Sequence, residues 1–288
     1  MPPELAPQAR TRWPGYRHVV FDCDSTLTGI EGVEELARSP RVRAQIEHLT
    51  DQAMSGAVNL SDVYERRLQL LQPDRDQVAA LRTRYKQAGV SDARAVVATL
   101  QDLGHEVYVV SGGLAEPVRE YAVFLGIPHQ HVVAVEATHE TLSGDWWRDD
   151  AVGAQGYLGF EGGNLTRTDG KAAAIRDLVG EGEGGVMLVG DGESDLNARS
   201  AADLFVGFGA FVARERVARE ADVFITEASL APIAVLAAGS RGMEAADSVG
   251  AGELFEGALD MYRRGTLRFR ERPMELQFAA AFGVRPTQ

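Results

Sequence analysis

Asp22 and Asp24 stand two residues apart, directly after an apolar run that ends at Phe21. Side chains two positions apart in an extended chain share a face, so both carboxylates are expected at one site. Asp22 is placed to attack a phosphorus atom and form an aspartyl-phosphate. Asp24 can protonate the leaving oxygen and later take a proton from water, and the like charge of Asp22 favours its protonated form. Thr26 can hold this loop or meet a phosphate oxygen, although an ordinary turn with a helix cap uses the same residue types.

Two later apolar runs also end in polar residues, at Ser111-Gly112-Gly113 and at Asp191-Gly-Glu-Ser-Asp195. Loops at the carboxyl ends of strands in an open α/β sheet converge on one crevice, so these segments are expected to meet the first. The Ser111 hydroxyl and the backbone N–H groups that precede the next helix can cradle phosphate oxygens. The three segments together indicate a site for phosphoryl transfer.

A carboxylate that attacks a phosphate dianion needs positive charge nearby, because phosphoryl transfer depends mainly on positioning and charge neutralisation. Asp191 and Asp195 suit a hard cation such as Mg²⁺, which binds carboxylate, carbonyl and water oxygens. Lys171 opens an amphipathic helix and adds a compact positive charge. Most lysines in a first helical turn are simply solvated, and that alternative stands beside the catalytic one.

The motifs resemble, in order and spacing, those of the haloacid dehalogenase superfamily of phosphatases over residues 18–236. The resemblance implies hydrolysis of a small phosphomonoester, and the most similar branch hydrolyses O-phosphoserine in serine biosynthesis. One alternative is a relative that acts on another small ester, such as phosphoethanolamine, or that transfers the phosphoryl group to an alcohol. Another is a catalytically idle regulator that binds phospho-ligands.

The resemblance also implies a role for each motif residue. Asp22 is the implied nucleophile and Asp24 the general acid and base, with Ser111 and Lys171 as further catalytic residues. An Mg²⁺ cofactor is implied, with Asp22, Asp24 and Asp191 as ligands and Asp195 supporting them. Substrate binding is implied for Glu31, Met54, Arg67, Ser111, Gly112, Gly113, Ser194 and Arg214.

Glu31 and Arg67 are the candidates for reading the two charged groups that distinguish phosphoserine from a generic ester. The resemblance places Glu31 on the ammonium, and an arginine such as Arg67 can grip a carboxylate with two parallel N–H bonds. Both could instead be surface charges. The chain departs from the family pattern at Leu60, where phenylalanine is common, and in the stretch around Val135 and Glu136. A smaller Leu60 would widen the pocket.

Alternating strand and helix patterns predict an α/β fold with a Rossmann-like parallel sheet core, an inserted helical cap and a short β-hairpin excursion. A parallel crossover needs only about a dozen residues, so the much longer interval between the first two strands must contain a domain. We expect the core at 1–30 and 92–239, the cap at 31–91 and an extension of unknown role at 240–288, with every strand complete before Gly239. The hairpin is expected at 136–161, with Trp146 and Trp147 on its packing face. Helices are predicted at 31–38, 42–53, 60–71, 75–87, 93–103 and 116–125.

Composition narrows the class of partner. The chain has 288 residues, 45% of them hydrophobic, and a net charge of −13. That charge argues against nucleic acid and anionic membranes as partners. A small phosphomonoester stays possible as substrate if positive charge is concentrated locally at its site.

The single cysteine, Cys23, excludes an internal disulfide and is expected to be buried. Without a signal peptide or membrane span, a cytoplasmic monomer or homodimer is expected. The arginine-rich stretch 253–277 is expected to be a solvated helix face, and His129 and His131 a surface turn.

Overall fold

The computed structural model describes residues 13–54, 60–139, 157–161, 163–167, 169–180 and 182–287. In chain order the strands are β1 (His18–Phe21), β2 (Glu106–Leu114), β3 (Val132–Val135), β4 (Ala137–His139), β5 (Tyr157–Phe160), β6 (Val186–Gly190), β7 (Leu204–Phe208), β8 (Val223–Ile225) and β9 (Leu267–Phe269). Seven strands form one sheet in the order β3-β2-β1-β6-β7-β8-β9, and β4 and β5 form a separate antiparallel pair. No helix in these residues is long and apolar enough to cross a membrane.

The sheet is parallel from β3 to β8, and only β9 at its edge runs antiparallel to its neighbour. The central strand β1 is buried along its whole length, since Val19, Val20 and Phe21 have no exposed surface. Continuous apolar runs of this kind are typical of parallel strands that helices cover on both faces. The predicted α/β class with a parallel sheet core is therefore confirmed.

The helices follow the predicted 3.6-residue spacing closely in the middle of the chain. The helices are α1 (Gly32–Glu35), α2 (Pro40–Met54), α3 (Leu60–Leu71), α4 (Arg75–Gln87), α5 (Ala93–Asp102), α6 (Ala115–Leu125), α7 (Gly170–Val179), α8 (Glu193–Ala198), α9 (Glu215–Glu220), α10 (Ala231–Ala245), α11 (Gly252–Arg264) and α12 (Arg272–Phe282). The predicted bounds are met at α3 and α4, and the latter begins with a capping box in which Asp74 and Gln77 bond each other's backbone. The helix predicted at 31–38 is wrong in length: α1 ends at Glu35, because the N–H groups of Leu36 and Ala37 bond to carbonyls three residues back rather than four.

The chain leaves the sheet after β1 and returns through a narrow stem. Gly29 N donates to Ala88 O at 2.8 Å, and Val90 N donates to Leu27 O at 3.0 Å. Helices α1 to α4 lie between these two points and share a buried apolar cluster with the end of β2 and with the β4–β5 hairpin. The stem therefore holds the helical excursion beside the carboxyl ends of the strands.

The β4–β5 pair confirms the predicted hairpin, whereas Trp146 and Trp147 lie outside the described residues. His129 and His131 lie in a short 3₁₀ turn before β3, as predicted, and His131 Nδ1 contacts Val107 O at 3.1 Å. Cys23 is 1% exposed and packs in the main core cluster, which confirms its predicted burial.

The expectation that every strand ends before Gly239 is wrong. Residues 267–269 form β9, which pairs with β8 and closes that edge of the sheet. The predicted continuous helix face at 253–277 is therefore interrupted: Gly265, at φ +77°, ends α11, and Pro273 stands in the first turn of α12. A strand of three residues is too short to show a period, so helical spacing on either side hides it.

The C-terminal helices pack on the core through aromatic side chains. Phe255 and Phe278 are completely buried, and the Trp13 ring meets Phe278 edge to face at 5.5 Å between centroids. Arg263 and Arg264 lie on the exposed side and pair with neighbouring carboxylates, as expected of a solvated face. The tail is thus amphipathic, with its aromatic side on the core and these arginines facing solvent.

Candidate active site

Strand register brings the three motif segments to one edge of the sheet. Phe21 is level with Val109 of β2 on one side and with Val189 of β6 on the other. The next residues of the three strands therefore lie side by side, and Asp22 N donates to Val189 O at 2.8 Å. Ser111 and Asp191 consequently lie on either side of the loop that begins at Asp22.

Three carboxylates form a compact acidic cluster at this edge. One oxygen from each of Asp22, Asp191 and Asp195 lies within 4.8 Å of the others, and all three side chains are buried. Burial, with the charges of the other two carboxylates, raises the pKa of Asp191 well above its usual range, although Arg214 opposes the shift. Such crowding of oxygen ligands suits a hard divalent cation, which would relieve the repulsion.

Lys171 points into the cluster from the first turn of α7. Its Nζ lies 3.0 Å from Asp22 Oδ1 and 2.5 Å from Asp195 Oδ1, and the residue is only 5% exposed. Burial alone would lower the pKa of Lys171, but the two carboxylates outweigh it and raise that pKa above its usual value. The alternative of a solvated lysine is therefore wrong.

Asp195 is held from behind by the backbone that follows β6. Gly192 N donates to Asp195 Oδ2 at 3.0 Å, and a Cβ on Gly190 would lie 2.2 Å from Asp195 Cγ. Glycine at 190 thus lets the carboxylate approach the strand. Burial raises the pKa of Asp195 to about 6, with Lys171 opposing the shift and Asp22 adding to it.

Asp24 occupies a different electrostatic environment from Asp22, because no cation is paired with it among the described residues. Gly32 N donates to Asp24 Oδ2 at 3.1 Å. Burial, with the charges of Glu31 and Asp22, raises the pKa of Asp24 to about 8. A carboxyl group that keeps its proton at neutral pH can serve as a general acid.

Ser111, Gly112 and Gly113 lie within β2 rather than in the loop after the strand that the sequence predicted, and this part of β2 packs over Asp24. Gly113 N donates to Ser111 Oγ at 3.0 Å, and a Cβ on Gly113 would lie 3.3 Å from Asp24 Oδ2. Gly112 is exposed and faces open space. The fully buried hydroxyl of Thr26 has no hydrogen-bond partner among the described residues.

Two candidate substrate-binding residues, Glu31 and Arg214, lie close together where the helical excursion begins. Glu31 Oε1 accepts from Ser25 Oγ at 2.8 Å and lies 3.6 Å from Arg214 Nη2, which reaches Asp191 Oδ2 at 3.2 Å. Sequence reasoning missed Ser25, which supports Glu31 from a left-handed conformation at φ +53°. Its position in an Asp-rich loop was the available signal, since such loops use hydroxyl side chains to hold turns.

The remaining candidates for substrate binding, Ser194, Arg67 and Met54, lie on three different helices. Ser194 stands half-buried in the first turn of α8. Arg67 lies on α3, where its charge acts on Glu34 and Tyr64. Met54 is the last residue of α2, and its side chain, like that of Leu60, lies outside the described part of the chain.

A carboxylate beside a buried ammonium and a protonated carboxyl group together can cleave a phosphate ester, and enzymes with this chemistry are phosphoric monoester hydrolases. The chain belongs to the haloacid dehalogenase-like hydrolase family, whose model matches residues 19–199. Phosphatases of this family depend on a metal ion, and the acidic cluster offers the oxygen ligands for one.

Known proteins and solved structures are similar to this chain over most of its length. The phosphoserine phosphatase of Mus musculus is 34% identical over 211 residues, which cover 73% of this chain and 88% of the mouse protein. The phosphoserine phosphatase of Homo sapiens is 32% identical with the same coverage. A solved phospho-aspartyl intermediate analogue of phosphoserine phosphatase is 25% identical at a TM-score of 0.59, covering 74% of this chain and 94% of that one.

Proposed function

We propose that this chain hydrolyses O-phosphoserine to serine and phosphate through an aspartyl-phosphate, with Mg²⁺ as cofactor. The observation that carries the proposal is the contrast between two neighbouring carboxyl groups. Asp22 faces the ammonium of Lys171, whereas the pKa of Asp24 is raised to about 8. Two carboxyl groups in opposite environments suit the separate roles of nucleophile and acid. The similarity to phosphoserine phosphatases supports the choice of substrate.

In the first step an Asp22 oxygen forms a bond to phosphorus while the bond from phosphorus to the serine oxygen breaks. Asp24 gives its proton to that oxygen, so serine leaves as a neutral alcohol. Lys171 offsets the charge of Asp22 and of the incoming phosphoryl group. The Ser111 hydroxyl and nearby backbone N–H groups hold the phosphoryl oxygens.

In the second step water attacks the phosphorus of the aspartyl-phosphate. Asp24, now ionised, takes a proton from the water, and the bond between phosphorus and the Asp22 oxygen breaks. Phosphate leaves, and both carboxyl groups regain their starting states. The close packing of Gly113, at the end of β2, over Asp24 helps to exclude competing water from the first step.

The side chains of Asp22 and Asp191 and the carbonyl of Asp24 would hold Mg²⁺, with Asp195 supporting the cluster. When bound, the cation supplies positive charge to the phosphoryl oxygens and to the ligand carboxylates. The mutual crowding of the three carboxylates supports this assignment.

We further propose that residues 31–91 act as a specificity cap over a core of 1–30 and 92–239, extended by 240–288. Glu31 would receive the substrate ammonium and Arg67 its carboxylate. The supporting residues are proposed to be Met54, Gly112, Gly113, Ser194 and Arg214. The net charge of −13 supports a small-molecule substrate over nucleic acid, and we propose a cytoplasmic monomer or homodimer that serves serine biosynthesis.

The test is phosphate release by the purified protein with Mg²⁺ on three esters. They are phosphoserine, phosphoethanolamine, which lacks the carboxylate, and the phosphate ester of 3-hydroxypropionate, which lacks the amine. We expect the highest kcat/KM for phosphoserine and loss of turnover in a chelator, with recovery on adding Mg²⁺. Higher kcat/KM for either truncated ester would refute the substrate, and full turnover in chelator would refute the cofactor.

A further inference from the structure

Tyr64 lies where helix α3, the β4–β5 hairpin and the end of β2 meet. The residue is 7% exposed, and its ring meets Phe160 edge to face at 5.2 Å between centroids. It belongs to the same buried cluster as Leu114, the last residue of β2, three residues after Ser111. The Tyr64 side chain is therefore anchored between the helical excursion and the catalytic edge of the sheet.

The hydroxyl group of Tyr64 has no hydrogen-bond partner in the part of the chain that the structure describes, and its oxygen is buried. Buried tyrosine hydroxyls usually find a partner, because losing water without a replacement bond is unfavourable. A hydroxyl left in this state, close enough to Asp24 for that carboxyl group to act on it, is a candidate contact for a ligand.

Arg67 stands three residues further along α3, so the two side chains share a face of the helix. The Nε of Arg67 is also buried without a hydrogen-bond partner among the described residues. Guanidinium nitrogens only donate, whereas a tyrosine hydroxyl can donate or accept. A ligand group that satisfies both must therefore be a hydrogen-bond acceptor.

The nearby positive charge indicates which acceptor fits. Arg67 is close enough to Tyr64 to act on its hydroxyl electrostatically, as is Asp24 of the loop after β1. The phosphoryl group belongs beside Asp22 and Lys171, at the edge of the sheet, so the acceptor near α3 is another part of the substrate. A carboxylate matches two donors on one helix face and the positive charge of an arginine.

We propose that Tyr64 is a specificity-determining residue whose hydroxyl donates a hydrogen bond to the substrate carboxylate beside Arg67. This inference rests on the proposed function and adds a second reader of the carboxylate to it. It makes the chain selective for phosphate esters that carry a carboxylate, because an ester without one leaves the buried hydroxyl unpaired.

The experiment is Tyr64→Phe, which removes one oxygen and keeps the ring against Phe160. We expect kcat/KM for phosphoserine to fall roughly 10- to 100-fold, the range for a hydrogen bond to a charged group. The ester of 3-hydroxypropionate should show a similar loss, whereas phosphoethanolamine should change less than threefold. Tyr262→Phe is the matched control, because Tyr262 donates to Glu275 in the C-terminal region and should leave all three values unchanged.

The possible outcomes separate this inference from the proposed function. If the native protein hydrolyses phosphoserine best and Tyr64→Phe keeps the native ratios among the esters, the inference is wrong and the function stands. A loss shared by the two amine-bearing esters alone would place the hydroxyl on the ammonium and overturn the inference. If the native protein does not hydrolyse phosphoserine, both fall. Thermal unfolding of both variants checks that the fold is retained.

Discussion

The ammonium of Lys171 lies 3.0 Å from the Asp22 carboxylate and also contacts Asp195, with all three side chains buried. One cation thus joins the first and last acidic motifs of the chain, which lie more than 170 residues apart in sequence. The contact helps to fix the Asp22 carboxylate in place, because Lys171 is held by Asp195 and Asp195 in turn accepts a hydrogen bond from Gly192 N. Removing Lys171 would leave both buried carboxylates uncompensated and strongly destabilise the protein, whereas a neutral side chain at position 22 leaves Lys171 paired with Asp195.

Asp22→Asn is expected to abolish phosphate release while leaving the fold intact. The amide keeps the size of the side chain but cannot attack phosphorus. Steady-state phosphate release measures the loss, and circular dichroism with thermal unfolding verifies the fold. Appreciable turnover by a folded variant, once deamidation is excluded by mass spectrometry, would contradict the aspartyl-phosphate mechanism.

The two substrate charges can be tested by matched substitutions. Arg67→Ala should lower kcat/KM for phosphoserine. The expected loss of transition-state stabilisation is about 2 to 5 kcal/mol, the penalty for breaking a desolvated charge pair. The loss for phosphoethanolamine should be at most about 1 kcal/mol, as for a surface pair. Glu31→Gln should give the reverse pattern, with a loss for both amine-bearing esters and little change for the 3-hydroxypropionate ester.

These comparisons need a control for general damage to α3. Arg66→Ala removes an exposed arginine next to Arg67 on α3 and should leave all three kinetic values unchanged. If Arg67→Ala and Glu31→Gln hydrolyse the three esters in the native ratios, these two residues do not read an amino acid.

Asp24→Asn should stabilise the metal-free protein at pH 8 more than at pH 5. Burial, with Glu31 and Asp22, raises the pKa of Asp24 from an ordinary 3.8 to about 8. The folded chain keeps a proton that the unfolded chain releases above about pH 4, so this group lowers stability progressively between about pH 4 and pH 8. Asparagine has no proton to release, and it therefore removes that dependence.

The measurement is thermal unfolding in a chelator at both pH values. Asp102→Asn, at an exposed carboxylate, serves as the reference for a change of charge alone. A gain from Asp24→Asn that is equal at pH 5 and pH 8 would show that ionisation of Asp24 is not its cause.

Phe278→Ala should destabilise the protein by about 3 to 5 kcal/mol, the usual range for truncating a buried phenylalanine. Phe278 is fully buried against Trp13, Tyr262 and Phe269, next to strand β9. Leu276→Ala, on the same helix but 45% exposed, should change stability by less than about 0.5 kcal/mol. Denaturant unfolding compares the two variants, and equal stabilities would show that the tail does not contribute to the core.

The same packing predicts the effect of removing the tail. A chain that ends at residue 239 lacks β9 and leaves the edge of β8 and the Trp13 ring uncovered. Exposed strand edges and aromatic surface favour aggregation, so we expect such a truncation to lose soluble folded protein. A soluble truncation with native activity would show that the first 239 residues fold alone.

Local patterns in the sequence were sufficient to predict the central strands, the helices α3 and α4 and the grouping of Asp22, Ser111 and Asp191. Alternation, helical spacing and the convergence of parallel strand ends are properties of short segments, and they need no knowledge of distant packing. For the same reason the spacing of Asp22 and Asp24 placed both carboxyl groups in one loop.

Only the tertiary structure decided the features that depend on distant neighbours. Whether Lys171 is solvated or buried depends on Asp22 and Asp195. The raised pKa of Asp24 depends on its burial, to which the close packing of Gly113 contributes. Strand β9 forms because β8 offers an unpaired edge, and its three residues carry too little pattern to be read alone. The unpaired hydroxyl of Tyr64 likewise follows from packing between α3 and β5, since a tyrosine on a helix face has the same sequence pattern whether its oxygen meets water or a ligand.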